Sequence, residues 1–213
     1  MIKREKHAII NMSTHLTAGM AFAFLLLGCS TPAAVPPGVA VGLEGLRSEA
    51  VSLRGQMEKT LVTLKDMMSQ SQADLSPQYQ SYTHELGILE AQVEKARQQR
   101  TATDTVVKDQ FMAWDQNLKH MQNQESRQRV ADRQAATKET YSDIQQKIAE
   151  LKKVWTPFLT DLQDIRQYLK DDLSKEGLNT IQPTAERLFD QQEEVTDRLN
   201  GVIEAMDVAI SKK

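Results

Sequence analysis

The stretch TKETYSDIQQKIAELKKVWTPFLTDLQDIRQYL, residues 137–169, decides the fold. Along it, apolar and small residues recur at alternating steps of three and four positions. This spacing places them on one face of an α-helix, and its persistence over the whole stretch is typical of long helices packed side by side. The residues of this face are Thr137, Tyr141, Ile144, Ile148, Leu151, Trp155, Phe158, Leu162, Ile165 and Leu169.

Three further runs of the same spacing fill most of the chain from Val41 onward, and none shows the alternation of a β-strand. In the second run the steps from Thr103 to Val107 and from Val107 to Phe111 are both four, a stutter that relaxes a left-handed supercoil locally. The predicted helices span residues 41–72, 77–122, 126–171 and 175–211.

Serine and proline residues in and near the breaks between the runs indicate where helices begin, end or kink. Pro77 fits the first position of a helix, where a missing N–H costs nothing. Pro157 lies inside a run and predicts a kink, whereas Pro183 predicts either a late helix start or a second kink. The residues predicted to cap helix N-termini are Ser76, Ser126 and Ser174.

Short connections make successive helices antiparallel neighbours, so we predict an all-α fold, an elongated antiparallel bundle or coiled coil of four long helices over residues 41–213. Folding the chain back at the connections places Leu43 beside Val107. The second and third helices then extend past the other two. Residues 108–137 should therefore form a protruding two-helix hairpin, roughly 20 Å long at about 1.5 Å per residue.

Residues 1–28 have the pattern of a bacterial lipoprotein signal peptide. A basic start, Lys3–His7, precedes an uncharged apolar run over 16–27, long enough for a secretory signal and short for a membrane-spanning helix. The run ends in Leu-Leu-Gly-Cys at Cys29, similar to the lipobox of bacterial lipoproteins, which implies cleavage before Cys29 and lipid on its sulfur. An ordinary signal peptide with a chance cysteine is the alternative, and Met12 is an alternative start.

Residues 29–40 form the predicted lipid anchor and Pro-rich linker. Prolines at 32, 36 and 37 disfavour helix and favour an extended spacer of roughly 3.1 Å per residue. Ser30 follows the cysteine instead of Asp, which in lipoproteins of enteric type implies transfer to the outer membrane instead of retention at the inner membrane. We therefore expect an exported protein, held by palmitate-type chains on the periplasmic face of the outer membrane.

Composition limits the classes of function. Hydrophobic residues make up 40% of the chain, enough for a core. The net charge is −3, and residues 1–28 hold a surplus of two positive charges, so the remainder is near −5 and nucleic acid is not an expected partner. Cys29 is the sole cysteine, which excludes an intrachain disulfide.

The sequence carries no recognisable catalytic or metal-binding pattern. His84 and His120 are far apart and lie off the apolar faces, which fits surface residues better than metal ligands. The glycines form no phosphate-binding cluster, and the serines lack a nucleophile-elbow context. We therefore expect no enzyme activity, no metal and no cofactor.

Three residues on the apolar faces leave alternatives open. Arg100 predicts either an ion pair with Glu150 that sets the helix register or a side chain that reaches solvent past the edge of the core. Trp114 and Trp155 fit core packing, with a ligand pocket or a membrane contact as the alternative.

Several short motifs follow one another in the helical part. They are Phe111-Met112-Ala113-Trp114, Leu118, Tyr141, Trp155-Thr156-Pro157-Phe158-Leu159, Tyr168-Leu169-Lys170, Leu178-Asn179 and Val202-Ile203-Glu204-Ala205-Met206. Their order resembles an uncharacterised bacterial family of coiled-coil, lipoprotein-like proteins, a domain of unknown function. The resemblance covers most of 41–210 and implies a helical fold and export, but no activity and no site residues. It departs at Arg127-Gln128-Arg129, where a Leu-Arg-Arg type of sequence is expected.

We expect a non-catalytic scaffold or adaptor of the cell envelope that works through coiled-coil contacts, with an envelope protein or a second copy of the chain as its partner. The alternative is a binding module that carries a small apolar or lipid ligand in the bundle core. The hairpin tip is the candidate surface for a partner or for anionic membrane headgroups, because basic residues cluster there among partly offsetting acidic ones. These basic residues are Lys119, Arg127, Arg129 and Arg133.

Overall fold

The chain folds into four long α-helices. The computed structural model describes residues 35–69 and 74–211, all within the compact unit Pro32–Lys213. The predicted signal peptide and Cys29 lie outside the described residues, which contain no β-strand. The predicted all-α bundle of four long helices is confirmed. Its helices are α1 (Pro37–Ser69), α2 (Ser76–His120), α3 (Gln124–Asp171) and α4 (Lys175–Ser211).

α1 begins four residues before its predicted start at 41. A proline is tolerated in the first turn of a helix, where its missing N–H has no helical partner, so Pro37 can begin α1. Val35 and Val39 on either side are buried in the core, at 8% and 1% exposure. Residues 37–40, predicted as the end of the extended linker, are therefore helical.

Two of the three predicted caps are wrong. Ser76 donates its backbone N–H to Asp74 Oδ1 at 2.9 Å, and Ser126 donates its backbone N–H to Asn123 Oδ1 at 2.8 Å. Aspartate and asparagine cap helix N-termini as well as serine does, because a short side-chain oxygen reaches the free N–H groups of the first turn. In both cases the acceptor precedes the predicted serine along the chain.

The connection between α3 and α4 follows the prediction. Ser174 Oγ accepts a hydrogen bond from the backbone N–H of Gly177 at 3.0 Å, which confirms Ser174 as a cap. Pro157 and Pro183 both lie inside helices. Because α4 already runs from Lys175, the late start predicted from Pro183 is wrong.

The helices pack in a ring in which each contacts its two neighbours, α1 against α2 and α4, and α3 against α2 and α4. Between α1 and α2 the register is fixed where Thr103 Oγ1 donates to the Gly42 carbonyl at 3.0 Å. The predicted pairing of Leu43 with Val107 is therefore wrong by about one turn. In this register the fold-back point lies nearer to α1 than the predicted residue 75.

The predicted hairpin over 108–137 is confirmed. Gly38 in the first turn of α1 lies beside Val106, so α2 continues past the start of α1. No residue from 112 to 140 belongs to either hydrophobic cluster of the described chain. The two helices of the hairpin are joined by their own contacts: Gln134 Nε2 donates to Asp115 Oδ1 at 2.6 Å, and Lys138 Nζ lies 5.3 Å from the Phe111 ring centroid.

The core divides into two hydrophobic clusters along the bundle. The connection-side cluster lies towards the α1–α2 and α3–α4 connections, with Tyr82 and Phe158 fully buried at its centre. The hairpin-side cluster lies towards the hairpin and includes Leu43, Ile144 and Met206. Most residues of both clusters belong to the predicted apolar faces, which the helices bury against one another.

Polar contacts join α2 to α3 beside the connection-side cluster. The hydroxyl of Tyr82 donates to the Leu162 carbonyl at 2.6 Å. Arg166 makes two hydrogen bonds to the Glu90 carboxylate, at 2.9 and 2.8 Å. These bonds from Arg166 keep the pKa of Glu90 below its usual value, despite the opposing effect of burial. A paired carboxylate in this position fixes α3 against α2.

Candidate functional site

A cavity of about 450 Å³ lies where the two clusters meet. All four helices line it: Leu53 and Trp155 belong to the connection-side cluster, whereas Ala50 and Met206 belong to the hairpin-side cluster. The volume falls in the range of small-molecule sites, roughly 300–1,000 Å³. The apolar residues of its wall are Leu46, Ala50, Leu53, Val93, Ala96, Ile148, Leu151, Trp155, Leu199, Val202 and Met206.

The cavity has a cause in the sequence. On the apolar face of α2, Val93 is followed by Ala96, Arg100 and Thr103, so this part of the face has little apolar bulk. On α1 the small residue Ala50 lines the same space, between Leu46 and Leu53. Small side chains on two facing helices leave a space that the larger residues of α3 and α4 do not fill. Sequence reasoning missed this cavity, although the run of small and polar residues on α2 was its signal.

The mouth of the cavity lies between α2 and α3. The lining residues that are themselves exposed are Arg97 and Thr101 on α2 and Lys152 and Thr156 on α3. The apolar residues of α1 and α4 form the floor. α2 and α3 are also the least closely packed of the four neighbouring pairs. A ligand would therefore enter from the α2–α3 side.

A polar cluster borders the cavity on its hairpin side. Arg100 Nη2 donates to Gln145 Oε1 at 2.6 Å, and Gln145 Nε2 donates to Asp104 Oδ1 at 2.9 Å. Tyr141 donates its hydroxyl to the same carboxylate. Burial, together with this bond to Asp104, raises the pKa of Tyr141 well above its usual value. The cluster ties α2 to α3 at one edge of the mouth.

The predicted ion pair between Arg100 and Glu150 is wrong. Arg100 pairs with Gln145 and lies 3.8 Å from Asp104, whereas Glu150 bonds to Lys153 at 2.7 Å. The Arg100 side chain is 38% exposed, so the predicted alternative, a side chain that leaves the core edge for solvent, describes it better.

The two tryptophans have different surroundings, although each is 8% exposed. Trp114 packs in the hairpin against Phe111. Trp155 packs against Phe158, with ring centroids 6.1 Å apart, and also lines the cavity. Its buried indole N–H has no hydrogen-bond partner among the described residues. Leaving such a donor unpaired costs about 1–3 kcal/mol.

The four candidate contact residues of the hairpin tip lie apart from the cavity. Lys119, Arg127, Arg129 and Arg133 are all exposed. Arg129 forms an ion pair with Glu125 one turn away. The structure therefore places these residues on one charged, solvated end of α2 and α3, where acidic neighbours offset part of their charge.

Neither histidine belongs to a site in the described part of the chain. His84 and His120 are both exposed, as expected of surface residues. Residues 35–69 and 74–211 contain no group of three or more histidine, cysteine, aspartate or glutamate side chains placed to hold a metal ion. No helix in these residues has the length and apolar character needed to span a membrane.

Comparison with known proteins identifies a family. A search of the curated proteins found no match, and neither did a search of the solved structures. One family model, described as "Protein of unknown function (DUF2959)", matches residues 44–213 and thus nearly the whole helical bundle. The chain therefore belongs to the DUF2959 family, which confirms the predicted resemblance to a domain of unknown function.

Proposed function

We propose that this chain is a non-catalytic binding protein of the bacterial cell envelope, whose bundle carries a small apolar or lipid ligand in the cavity beside Trp155. The observation that carries the proposal is the cavity of about 450 Å³ between the two core clusters. A scaffold that works only through its outer surface has no use for such a space, because filling it would stabilise the bundle. The cavity therefore favours ligand binding over the scaffold role.

The wall of the cavity suits an apolar guest. An apolar cavity of about 150 Å³ stays dry and binds benzene, because bulk water gains nothing by entering it. The cavity here is about 450 Å³, and most of its lining residues are apolar. It therefore has room for about three times that volume of hydrocarbon.

Filling the cavity is expected to abolish binding and to stabilise the fold. In the double variant Ala50→Leu/Ala96→Leu, the added side chains would occupy the space that the ligand uses. We expect dodecanol to bind at least about tenfold more weakly, a loss of about 1.4 kcal/mol. We also expect the free energy of unfolding to rise by about 0.5–2 kcal/mol. Native mass spectrometry and urea denaturation measure the two effects.

The same substitution outside the cavity provides the control. Ala209 is fully buried in the hairpin-side cluster and does not line the cavity, so Ala209→Leu should overpack the core and cost about 1–3 kcal/mol. It should leave dodecanol binding unchanged. Failure of dodecanol to bind the unsubstituted protein, combined with no ligand on the protein purified from cells, would contradict the proposal.

The proposal includes the membrane anchor. Cys29 would carry the lipid, and Ser30 after it would direct the protein to the periplasmic face of the outer membrane. The lipobox-like residues before Cys29 and the apolar run over 16–27 support this part. A lipid-anchored carrier would hold its ligand beside the membrane, where apolar molecules are most concentrated.

A scaffold or adaptor is the second candidate, and the hairpin favours it. Residues 112–140 lie outside both core clusters and present Arg127 and Arg133 to solvent, as a contact surface for a partner would. The heptad spacing also permits coiled-coil contacts with an envelope protein or a second copy of the chain.

Photo-crosslinking in living cells tests this second candidate. With the probe at Met112, Gln124 or Arg133, we expect a discrete protein adduct that probes at exposed Val62 on the body do not give. The charge reversal Arg127→Glu/Arg129→Glu should abolish the adduct. An adduct at twice the chain mass would identify self-association, and lipid adducts a membrane contact. Equal labelling from tip and body would remove the adaptor candidate.

A further inference from the structure

The mouth of the cavity is positively charged, although the chain as a whole is acidic. The charged residues that line the cavity are three cations, Arg97, Arg100 and Lys152, and one carboxylate, Asp104. The whole chain has a net charge of −3. The net charge of the residues at the mouth is therefore opposite in sign to that of the whole chain, and it favours an anionic ligand group there.

The cations of the mouth keep donors available for a ligand. Asp104 is already engaged by Tyr141, Gln145 and Arg100. Arg97 comes only within 3.8 Å of Glu94, and both side chains are well exposed, at 71% and 58%. Lys152 has no ion-pair partner among residues 35–69 and 74–211. An incoming carboxylate or phosphate could thus bind without breaking a buried pair.

The cavity has an apolar floor on α1 and α4 and a cationic mouth between α2 and α3. An amphiphile with one apolar chain and one anionic group matches this order, because its chain would lie on the floor and its charge at the mouth. The volume of about 450 Å³ is about three times that of a benzene-binding cavity, enough for one long hydrocarbon chain and too little for two.

We infer that the cavity binds a single-chain anionic amphiphile, with its hydrocarbon against Leu53, Trp155 and Met206 and its anionic group at Arg97, Arg100 and Lys152. This inference rests on the proposed function and adds the chemical class of the ligand. Guanidinium and ammonium groups bind both carboxylates and phosphates, so a fatty acid and a chain phosphate share the required chemistry.

The test compares ligands that differ only in the head group. Dodecanoate, dodecyl phosphate, dodecanol and dodecyltrimethylammonium are titrated below their micellar concentrations into the full chain carrying Trp114→Phe. This substitution leaves Trp155 as the one tryptophan, because the sequence has two, and its emission then reports the cavity. We expect the anions to bind about tenfold more tightly than dodecanol, and the cation most weakly. Tighter binding of dodecanoate would identify a carboxylate as the head group, and tighter binding of dodecyl phosphate a phosphate.

Two double variants that remove the same charge show whether the preference for anions arises at the mouth. Arg97→Gln/Lys152→Gln removes two exposed cations of the mouth, and we expect it to abolish the preference for anions while dodecanol binds as before. Lys95→Gln/Lys153→Gln removes the same charge from neighbouring exposed positions that do not line the cavity, and it should keep the preference.

The outcomes separate this inference from the proposed function. Equal affinity for dodecanol and dodecanoate would overturn the anionic head group and leave an apolar cavity that still binds. Equal loss of the preference in both charge variants would also overturn it, because the effect would then be one of net charge. Binding of none of the four ligands, combined with no ligand on the protein purified from cells, would overturn the inference and the proposed function together.

Discussion

Replacing Cys29 with alanine, with an ordinary cleavable secretory signal in place of residues 1–28, is expected to move nearly all of the protein from the membrane fraction to the soluble fraction of cell extracts. Under the proposal, the Cys29 sulfur carries a diacylglycerol and its amino group a third acyl chain. Each buried CH₂ contributes about 0.8 kcal/mol, and one chain alone gives only reversible attachment. Several chains on one residue therefore give stable attachment, and alanine removes all of them. Fractionation with immunoblotting measures the shift, and mass spectrometry of the N-terminal peptide shows the lipid.

A second substitution separates anchoring from sorting. Ser30→Asp keeps the cysteine and its lipid, but it should shift the protein from the outer-membrane fraction to the inner-membrane fraction in a sucrose gradient. The neighbouring Thr31→Asp is the control, because the sorting signal is proposed for position 30. If Cys29→Ala leaves the protein in the membrane fraction, the lipobox interpretation is wrong and another part of the chain attaches the protein to the membrane.

The helices themselves could be predicted because their apolar spacing is a property of each helix alone. α3 was predicted within two residues at its start and correctly at its end, and α4 correctly at both ends. Details that depend on one local hydrogen bond were harder. Asp74 and Asn123, and not the serines that follow them, accept the bonds at the starts of α2 and α3, since all three residue types can do so.

The small residues on α2 are visible in the sequence, but the cavity they help to form could not be located because it depends on the register between helices. Ala50 and Ala96 are unremarkable on their own helices, and they leave a space only because the α1–α2 register brings them to the same level of the bundle. A pairing error of one turn, as in the prediction for Leu43, moves each small residue against a different neighbour. The partner of Arg100 was mistaken for the same reason, since the α2–α3 register places Gln145 beside it.

The largest expected loss of stability comes from one methyl group in the connection between α3 and α4. A Cβ atom on Gly177 would lie 2.1 Å from the backbone oxygen of Asp172. Close approach of another backbone is one reason for a glycine, and here the obstacle cannot rotate away as a side chain would. Gly177→Ala must therefore displace the connection, including the hydrogen bond from the Gly177 N–H to Ser174 Oγ at 3.0 Å.

We expect Gly177→Ala to lower the free energy of unfolding by about 2–3 kcal/mol, the scale of severe overpacking. A chain of this size loses about 2–4 °C of melting temperature per kcal/mol, so circular dichroism should show a fall of roughly 5–10 °C. Gly201→Ala is the matched control. Gly201 is in the interior of α4, and apart from the neighbouring backbone of that helix no atom of the described residues lies within 4 Å of a Cβ placed there. There alanine should stabilise the helix by about 0.5–1 kcal/mol. Equal stability of the two variants would mean that the connection yields to the added methyl group, and that its tight turn does not fix α4 against α3.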